Sequence, residues 1–203
     1  MTATHSHDVI TSGGVHMTRA LHGRDPIASA QAYNALGWPV MIGHRWRRGP
    51  GCTCGQGPAC PTPGAHPIAQ PSVPLTADQI PAALEAAPGA ALITSCTAFD
   101  AVVMPRALGM ALMVLLDHYH VPAPCLTVDH TTATVLVAPQ TAYGLCGGPC
   151  TVRRGGADWI ALPPSYGIRW DTPPTCDVLP TGERVRPHLA QVLKLAGSGE
   201  AGR

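Results

Sequence analysis

Apolar residues first recur at helical spacing at Ile27, Ala30, Tyr33 and Ala35 with Leu36, where Pro26 suits a first helical turn and Gly37 a stop. A helix of about ten residues is predicted there. Residues 38–46 alternate through Val40 and Ile42 as a strand. Residues 76–87 read as a second helix, with Thr76 as N-cap, Asp78 in the first turn, and Ile80 and Leu84 on one face. Two short apolar strands are expected at 90–94 and 100–104. Pro105 then opens a helix to about residue 119, in which Leu108, Leu112, Leu115 and Tyr119 make one stripe flanked by Met110, Val114 and Leu116. An apolar face that broad implies burial against a sheet.

Beyond it, residues 126–129 and 134–137 form a hairpin around Thr131 and Thr132, and 151–154, 159–162 and 167–170 supply further strands. A last helix at 187–196 either packs on the body or forms a tail. Helices and strands in this order, ending in a run of strands, favour an α+β fold with a mixed or antiparallel sheet and packed helices over a doubly wound one. Residues before Pro26 have no apolar period and are expected to be mobile. The chain therefore divides into a flexible segment at 1–25, a main domain at 26–178, and a C-terminal helix and tail at 179–203.

Composition changes this picture in two places. With 203 residues, 45% of them hydrophobic, the chain can bury one real core. Its 22 Gly and 22 Pro predict short elements and many turns. The formal net charge of +1 excludes a body that binds nucleic acid by overall charge alone, so any such contact is local. Residues 45–48 supply the densest basic cluster, Arg45, Arg47 and Arg48 beside Trp46, and Arg153 with Arg154 precedes Trp159. Arginine beside an aromatic ring suits phosphate contact and base stacking; solvated arginines at strand ends are the other reading. The most apolar run, 107–116, is about half a membrane span, no partner membrane is implied, and no basic-then-apolar leader precedes it. A cytoplasmic location is expected.

In a reducing compartment, clustered cysteines point to metal and not to disulfides. Residues 49–75 form a Pro/Gly/Cys-rich loop too long to lack a tie in a compact domain. Within it Cys52, Cys54, Cys60 and His66 follow a C-x-C-x5-C-x5-H spacing. Three thiolates and an imidazole are the set that tetrahedral zinc takes in closed, structural sites. Cys146 and Cys150 bracket a Gly-Gly-Pro turn and read as two free thiols, and Cys96, Cys125 and Cys176 as isolated small hydrophobes.

Several pieces, in order, resemble the N-terminal domain of bifunctional DNA primase/polymerases, in particular its smaller relatives with a Cys/His loop. They are residues 32–40 (AYNALGWPV), the Cys52-Thr53-Cys54 to 63–67 (PGAHP) loop, 99–105 (FDAVVMP), 137–139 (VAP) and 158–165 (DWIALPPS), which together span about residue 28 to 175. The resemblance implies a primase-type core related to the RNA-recognition fold, acting in DNA replication with DNA, nucleotide or a replication protein as partner. Active members of this family carry an Asp-x-Asp pair on the strand before the central helix and a Ser-x-His motif on the next hairpin. Mg²⁺ or Mn²⁺ is needed for activity because two ions hold the triphosphate through carboxylates.

Here the equivalent acidic positions fall at Val103 and Pro105, and the hairpin strand reads Thr134-Val135-Leu136-Val137, so both motifs are missing. Asp100, Asp129 and His130 are the remaining candidates for a rewired site, with a polar hairpin turn as the alternative for Asp129 and His130. The expectation is a catalytically silent domain retained for DNA, nucleotide or replication-partner binding. The alternative is a zinc-stabilised protein-interaction or regulatory module.

Overall fold

The computed structural model describes residues 20–21, 23–47, 49–64, 66–68, 73–175 and 178–200, the last three without side chains. Its elements in chain order are α1 (Pro26–Ala35), β1 (Val40–Gly43), β2 (Trp46–Arg47), β3 (Gly51–Cys52), α2 (Ile80–Ala86), β4 (Ala91–Pro105), α3 (Arg106–His118), β5 (Cys125–Val128), β6 (Thr132–Val137), β7 (Thr151–Leu162), β8 (Ile168–Thr172) and α4 (Gly182–Glu200).

The 15-residue β4 is the spine of the fold. One of its edges pairs with β1 through residues 91–94 and with β6 through 100–105, while the other edge carries β7. Beyond β6 lie β5 and β8, every pairing is antiparallel, and six strands make the sheet. The expected α+β class with an antiparallel sheet and packed helices is what forms. The β4–β7 register slips between Ser95 and Cys96 and again between Cys96 and Ala101, where a five-residue step along β4 is matched by a two-residue step along β7, from Gly155 to Arg153. Extra residues of this kind bend a strand and raise its twist, and the sheet curls.

The two expected strands at 90–94 and 100–104 are thus one strand. The polar pair Ser95 and Thr97 reads as a break, but their hydroxyls lie 3.1 Å apart and satisfy each other. Likewise the strands expected at 151–154 and 159–162 join as β7, because Gly155 takes φ +73° beside the irregularity and lets the strand continue. The strand expected at 38–46 splits, since Trp46 leaves the main sheet to pair with Cys52 in the small β2–β3 ribbon.

Two hydrophobic clusters lie on opposite faces of the sheet. Strand alternation sends Val102 and Met104 of β4 toward α3 and α4, and Ala101 toward the other face. On α3 the buried set is Leu108, Gly109, Leu112, Met113 and Leu116, one position round from the expected stripe. Tyr119 is instead half exposed, stacked at 4.6 Å on His188 of α4. That last helix packs on the body through Val185, Leu189 and Val192, and it starts at Gly182, with Pro187 inside it. The second helix also starts late, at Ile80, because Pro81 sits in its first turn and residues 76–79 form a separate turn.

Around α1 and α2 the other cluster gathers Tyr33, Trp38, Phe99 and Trp170. Trp170 Nε1 donates to the Tyr33 hydroxyl at 2.9 Å, and that hydroxyl donates to the Pro163 carbonyl at 2.9 Å. Burial holds the Tyr33 phenol far above its ordinary value, so it stays a donor. The ordered fold also begins earlier than Pro26. Leu21 is 1% exposed in this core, and Ser29 Oγ donates to the Ala20 carbonyl, so residues 20–21 are not part of a loose segment.

Close approach of α3 to the sheet depends on Gly109, where an added Cβ would meet the Ala133 Cβ of β6 at 2.3 Å. Gly109→Ala is expected to lower stability by about 1–3 kcal/mol in chemical denaturation, overpacking outweighing the gain in helix propensity. Combining it with Ala133→Gly should return part of the loss. An unchanged midpoint for Gly109→Ala would contradict this packing.

Candidate metal centre and sheet cleft

β1 ends at Gly43, and His44 and Arg45 then lead into the β2–β3 ribbon, which delivers Cys52 to the start of a tight loop. Backbone and side chain hold this exit in place. Thr53 N donates to the Arg45 carbonyl at 3.0 Å, Arg45 N to Thr53 Oγ1 at 3.1 Å, and His44 N to the His66 carbonyl at 2.9 Å. The ligand atoms of Cys52, Cys54, Cys60 and His66 consequently lie within 4.8 Å of one another, an arrangement that can hold a metal ion. His66 Nε2 is 3.3 Å from Cys52 Sγ and 3.4 Å from Cys60 Sγ.

The electrostatics of the cluster favour a cation. Burial would raise the Cys52 thiol, but hydrogen bonds at the Gly64 and Cys54 backbone and from the Cys54 and Cys60 side chains outweigh it, and the group is lowered. Burial pushes the Cys60 thiol up to about 11, and the neighbouring Cys54 and Cys52 push the same way. Thiolates at Cys52 and Cys60 would repel each other at this separation unless positive charge lay between them. Burial also lowers His66, helped by His44 beside it, which favours the neutral imidazole that coordinates metals. The ring of His44 lies 4.6 Å from that of His66, and its Nδ1 is 3.2 Å from Thr53 Oγ1.

Residues 61–64, between the third and fourth ligands, form one wall of a cleft of about 440 Å³ on the sheet face away from α3. Its floor is Val103 of β4, Thr132 and Thr134 of β6, Leu126 and Val128 of β5, and Arg153 and Ile160 of β7. Trp46 and Tyr166 stand at its rim with ring centroids 4.9 Å apart and planes 18° from parallel. Gly64 lets the metal loop touch this rim, since an added Cβ would lie 3.3 Å from the backbone and Cβ of Trp46.

The basic residues separate. Arg45 is spent on the fold, donating to the Pro88 carbonyl, and Arg47 is exposed. Arg48 lies outside the described residues, as does Cys176. Arg153 lines the cleft while its Nη1 donates to the Trp159 carbonyl at 2.8 Å. Arg154 turns away, its guanidinium 4.9 Å above the Tyr143 ring and its backbone N–H donated to Asp158 Oδ2. In the Cys146–Cys150 turn, Gly147 and Cys150 exchange backbone hydrogen bonds at 3.1 Å, and both thiols are free.

Asp100, Asp129 and His130 are not brought together. Asp100 is 2% exposed and accepts a 2.9 Å hydrogen bond from Ala142 N, a role in holding the chain after β6. Its even-numbered place on β4 puts it with Val102 and Met104, on the face opposite the cleft. Asp129 and His130 occupy a turn at φ +45° and +63°. Asp129 does reach the cleft, over Gly167, where an added Cβ would stand 2.1 Å from its Oδ1. His130 Nε2 accepts from Arg169 Nη2 at 3.2 Å. Among the described residues, the Cys/His set is the only group of three or more metal-ligating side chains that converges.

Sequence reasoning passes over His44, Thr132 and Tyr166. The first two carry no motif, and Tyr166 sits behind the Pro163-Pro164-Ser165 turn, whose prolines draw attention to the backbone instead. No helix of the described residues is long and apolar enough to cross a membrane. No family model, curated protein or solved structure matches the chain.

The purified protein is expected to carry about one tightly bound metal ion per chain by native mass spectrometry. Cys60→Ser should release that ion and lower stability by about 3 kcal/mol or more. A variant that loses the ion and keeps the wild-type melting temperature would show that the loop does not depend on it.

Proposed function

We propose that this chain is a primase/polymerase-like domain that has lost nucleotidyl transfer and binds a nucleotide unit of DNA in the sheet cleft, with zinc as a structural ion beside it. The observation that carries the reading is the cleft floor. The resemblance would set a metal-binding carboxylate at Val103, on the strand ahead of the central helix α3, and Val103 lines the cleft. Two-ion phosphoryl chemistry requires carboxylates that hold Mg²⁺ or Mn²⁺ against the triphosphate, and valine supplies no ligand. Among the described residues Asp129 is the one acid in the lining, and a single carboxylate cannot organise two ions.

What remains is binding chemistry. Arg153 offers its unused guanidinium N–H groups to a phosphate, Thr132 and Thr134 add hydroxyls, and Trp46 with Tyr166 adds aromatic surface for a base. The cleft volume is in the range of small-ligand sites. Zinc is favoured by the donor set, and by geometry. Bond lengths of about 2.3 Å to sulfur and about 2.0 Å to nitrogen place tetrahedral ligand atoms roughly 3.5–3.8 Å apart, close to the sulfur–imidazole separations of 3.3 and 3.4 Å. Closed by four protein ligands, the ion would have no open position for substrate and would act on the fold by fixing residues 61–64 as a wall.

Titration with a deoxynucleoside triphosphate, followed by tryptophan fluorescence, is expected to give saturable binding that Arg153→Ala weakens about tenfold or more. A primed template incubated with all four triphosphates and either Mg²⁺ or Mn²⁺ should show no extension. Primer extension above background that is lost in a Cys52→Ser, Asp129→Ala or Arg153→Ala protein would contradict the loss of catalysis, and absence of any nucleotide binding would contradict the site.

A further inference from the structure

The Trp46–Tyr166 pair is a ridge with a hollow on each side. One is the cleft; the other is a groove of about 660 Å³ running from the residues before α1 to β8, and both rings line both hollows. The groove differs from the cleft in charge. Arg24 and Arg169 line it and, among the described residues, no acid does. Both arginines are exposed, and Asp25, next to Arg24, is engaged as the N-cap of α1, accepting from Ile27 N at 2.9 Å. Arg169 Nη2 donates to His130 Nε2 at 3.2 Å, and among the described residues no acid faces the rest of its exposed guanidinium in the groove.

Tyr166 is 63% exposed although one face of its ring is covered by Trp46, so the uncovered part of the ring is open to a third aromatic partner. A nucleobase is such a partner, and stacking on an existing aromatic column is tolerant of sequence. The neighbouring groove then offers positive charge where the backbone of the next nucleotides would lie. A basic groove and a nucleotide-sized cleft that share an open aromatic ring match a strand with bases on a phosphate backbone better than any single small molecule.

We infer that single-stranded DNA crosses the Trp46–Tyr166 ridge out of the cleft into this second groove, where Arg24 and Arg169 hold its phosphates. This rests on the reading of the cleft as a nucleotide site and adds the path and length of the ligand. Arg24 and Arg169 position the strand by charge, and Tyr166 carries the stacked base at the crossing.

The test compares a thymidine oligonucleotide of about 12 residues, within the roughly 4–16 nucleotide span of single-strand sites on comparable domains, with thymidine monophosphate. Affinity for the first is read by fluorescence anisotropy across a salt series, and for the second by tryptophan fluorescence. The wild type should bind the oligonucleotide at least about tenfold more tightly than the monophosphate. Arg24→Ala with Arg169→Ala should reduce the slope of log affinity against log salt by about 1.4 and leave monophosphate binding unchanged. Tyr166→Ala should weaken the oligonucleotide about 5- to 100-fold, and Tyr166→Phe should restore it.

If the double arginine variant keeps the wild-type oligonucleotide affinity and salt slope while monophosphate still binds, the groove is not on the strand path and the cleft reading survives. If the wild-type protein binds neither ligand, both fall. Circular dichroism and bound metal equal to wild type establish that the surface variants are folded.

Discussion

Hydrophobic burial cannot organise the loop between β1 and α2, and the rest of the functional surface depends on what replaces it. Four donor atoms of that loop lie within 4.8 Å of one another, an arrangement that can hold a metal ion and so tie the loop together. The third and fourth ligands flank residues 61–64, which become a wall of the sheet cleft, and Gly64 presses directly on Trp46. Trp46 in turn carries Tyr166. The Cys/His cluster is thereby linked through these contacts to the rim of the cleft. The link is mechanical, because a loop this long and this poor in apolar side chains has no core of its own to fix its shape.

The sheet supplies the other half of the site through its two unlike faces. Val102 and Met104 point to α3 and α4 and are buried among leucines, whereas Val103, one residue away, faces the cleft. A two-residue period makes this alternation unavoidable, so the same strand both anchors the main helix layer and floors the cleft. It also explains Asp100. Three residues from Val103, it falls on the helix side and is used to hold Ala142. Under the proposed reading a methyl-bearing side chain, Val103, fills the cleft floor where an ion-binding carboxylate would be needed, and Arg153, Thr132 and Thr134 are the groups left to meet a phosphate.

Much of this was legible in the chain. The Cys/His spacing located the cluster that can hold a metal, the period of 3.6 located α1 and α3, and a helix–strand order ending in strands gave the α+β class. Element lengths were harder, for reasons visible in particular residues. Ser95 and Thr97 look like a polar break but bond to each other inside β4, and Gly155 looks like a turn but lets β7 pass an irregularity. Functional residues split the same way. Arg45 and Arg154 read as nucleic-acid contacts, yet one is tied to Pro88 and the other to Tyr143, because sequence clustering does not reveal which side of a strand or ribbon an arginine leaves by. The aromatic rim was half visible. Trp46 stood out beside its arginines, while Tyr166 comes to it from 120 positions away through the curl of the sheet.

The dependence of the cleft on the metal loop can be measured most directly by hydrogen–deuterium exchange before and after removal of the ion with a strong chelator. The account predicts faster exchange in residues 49–64, at Trp46 and across 165–168, unchanged protection in the β4–β6 pairing, and a parallel loss of nucleotide affinity. Identical exchange and identical affinity in the metal-free protein would contradict it, as would a uniform loss of protection throughout the sheet.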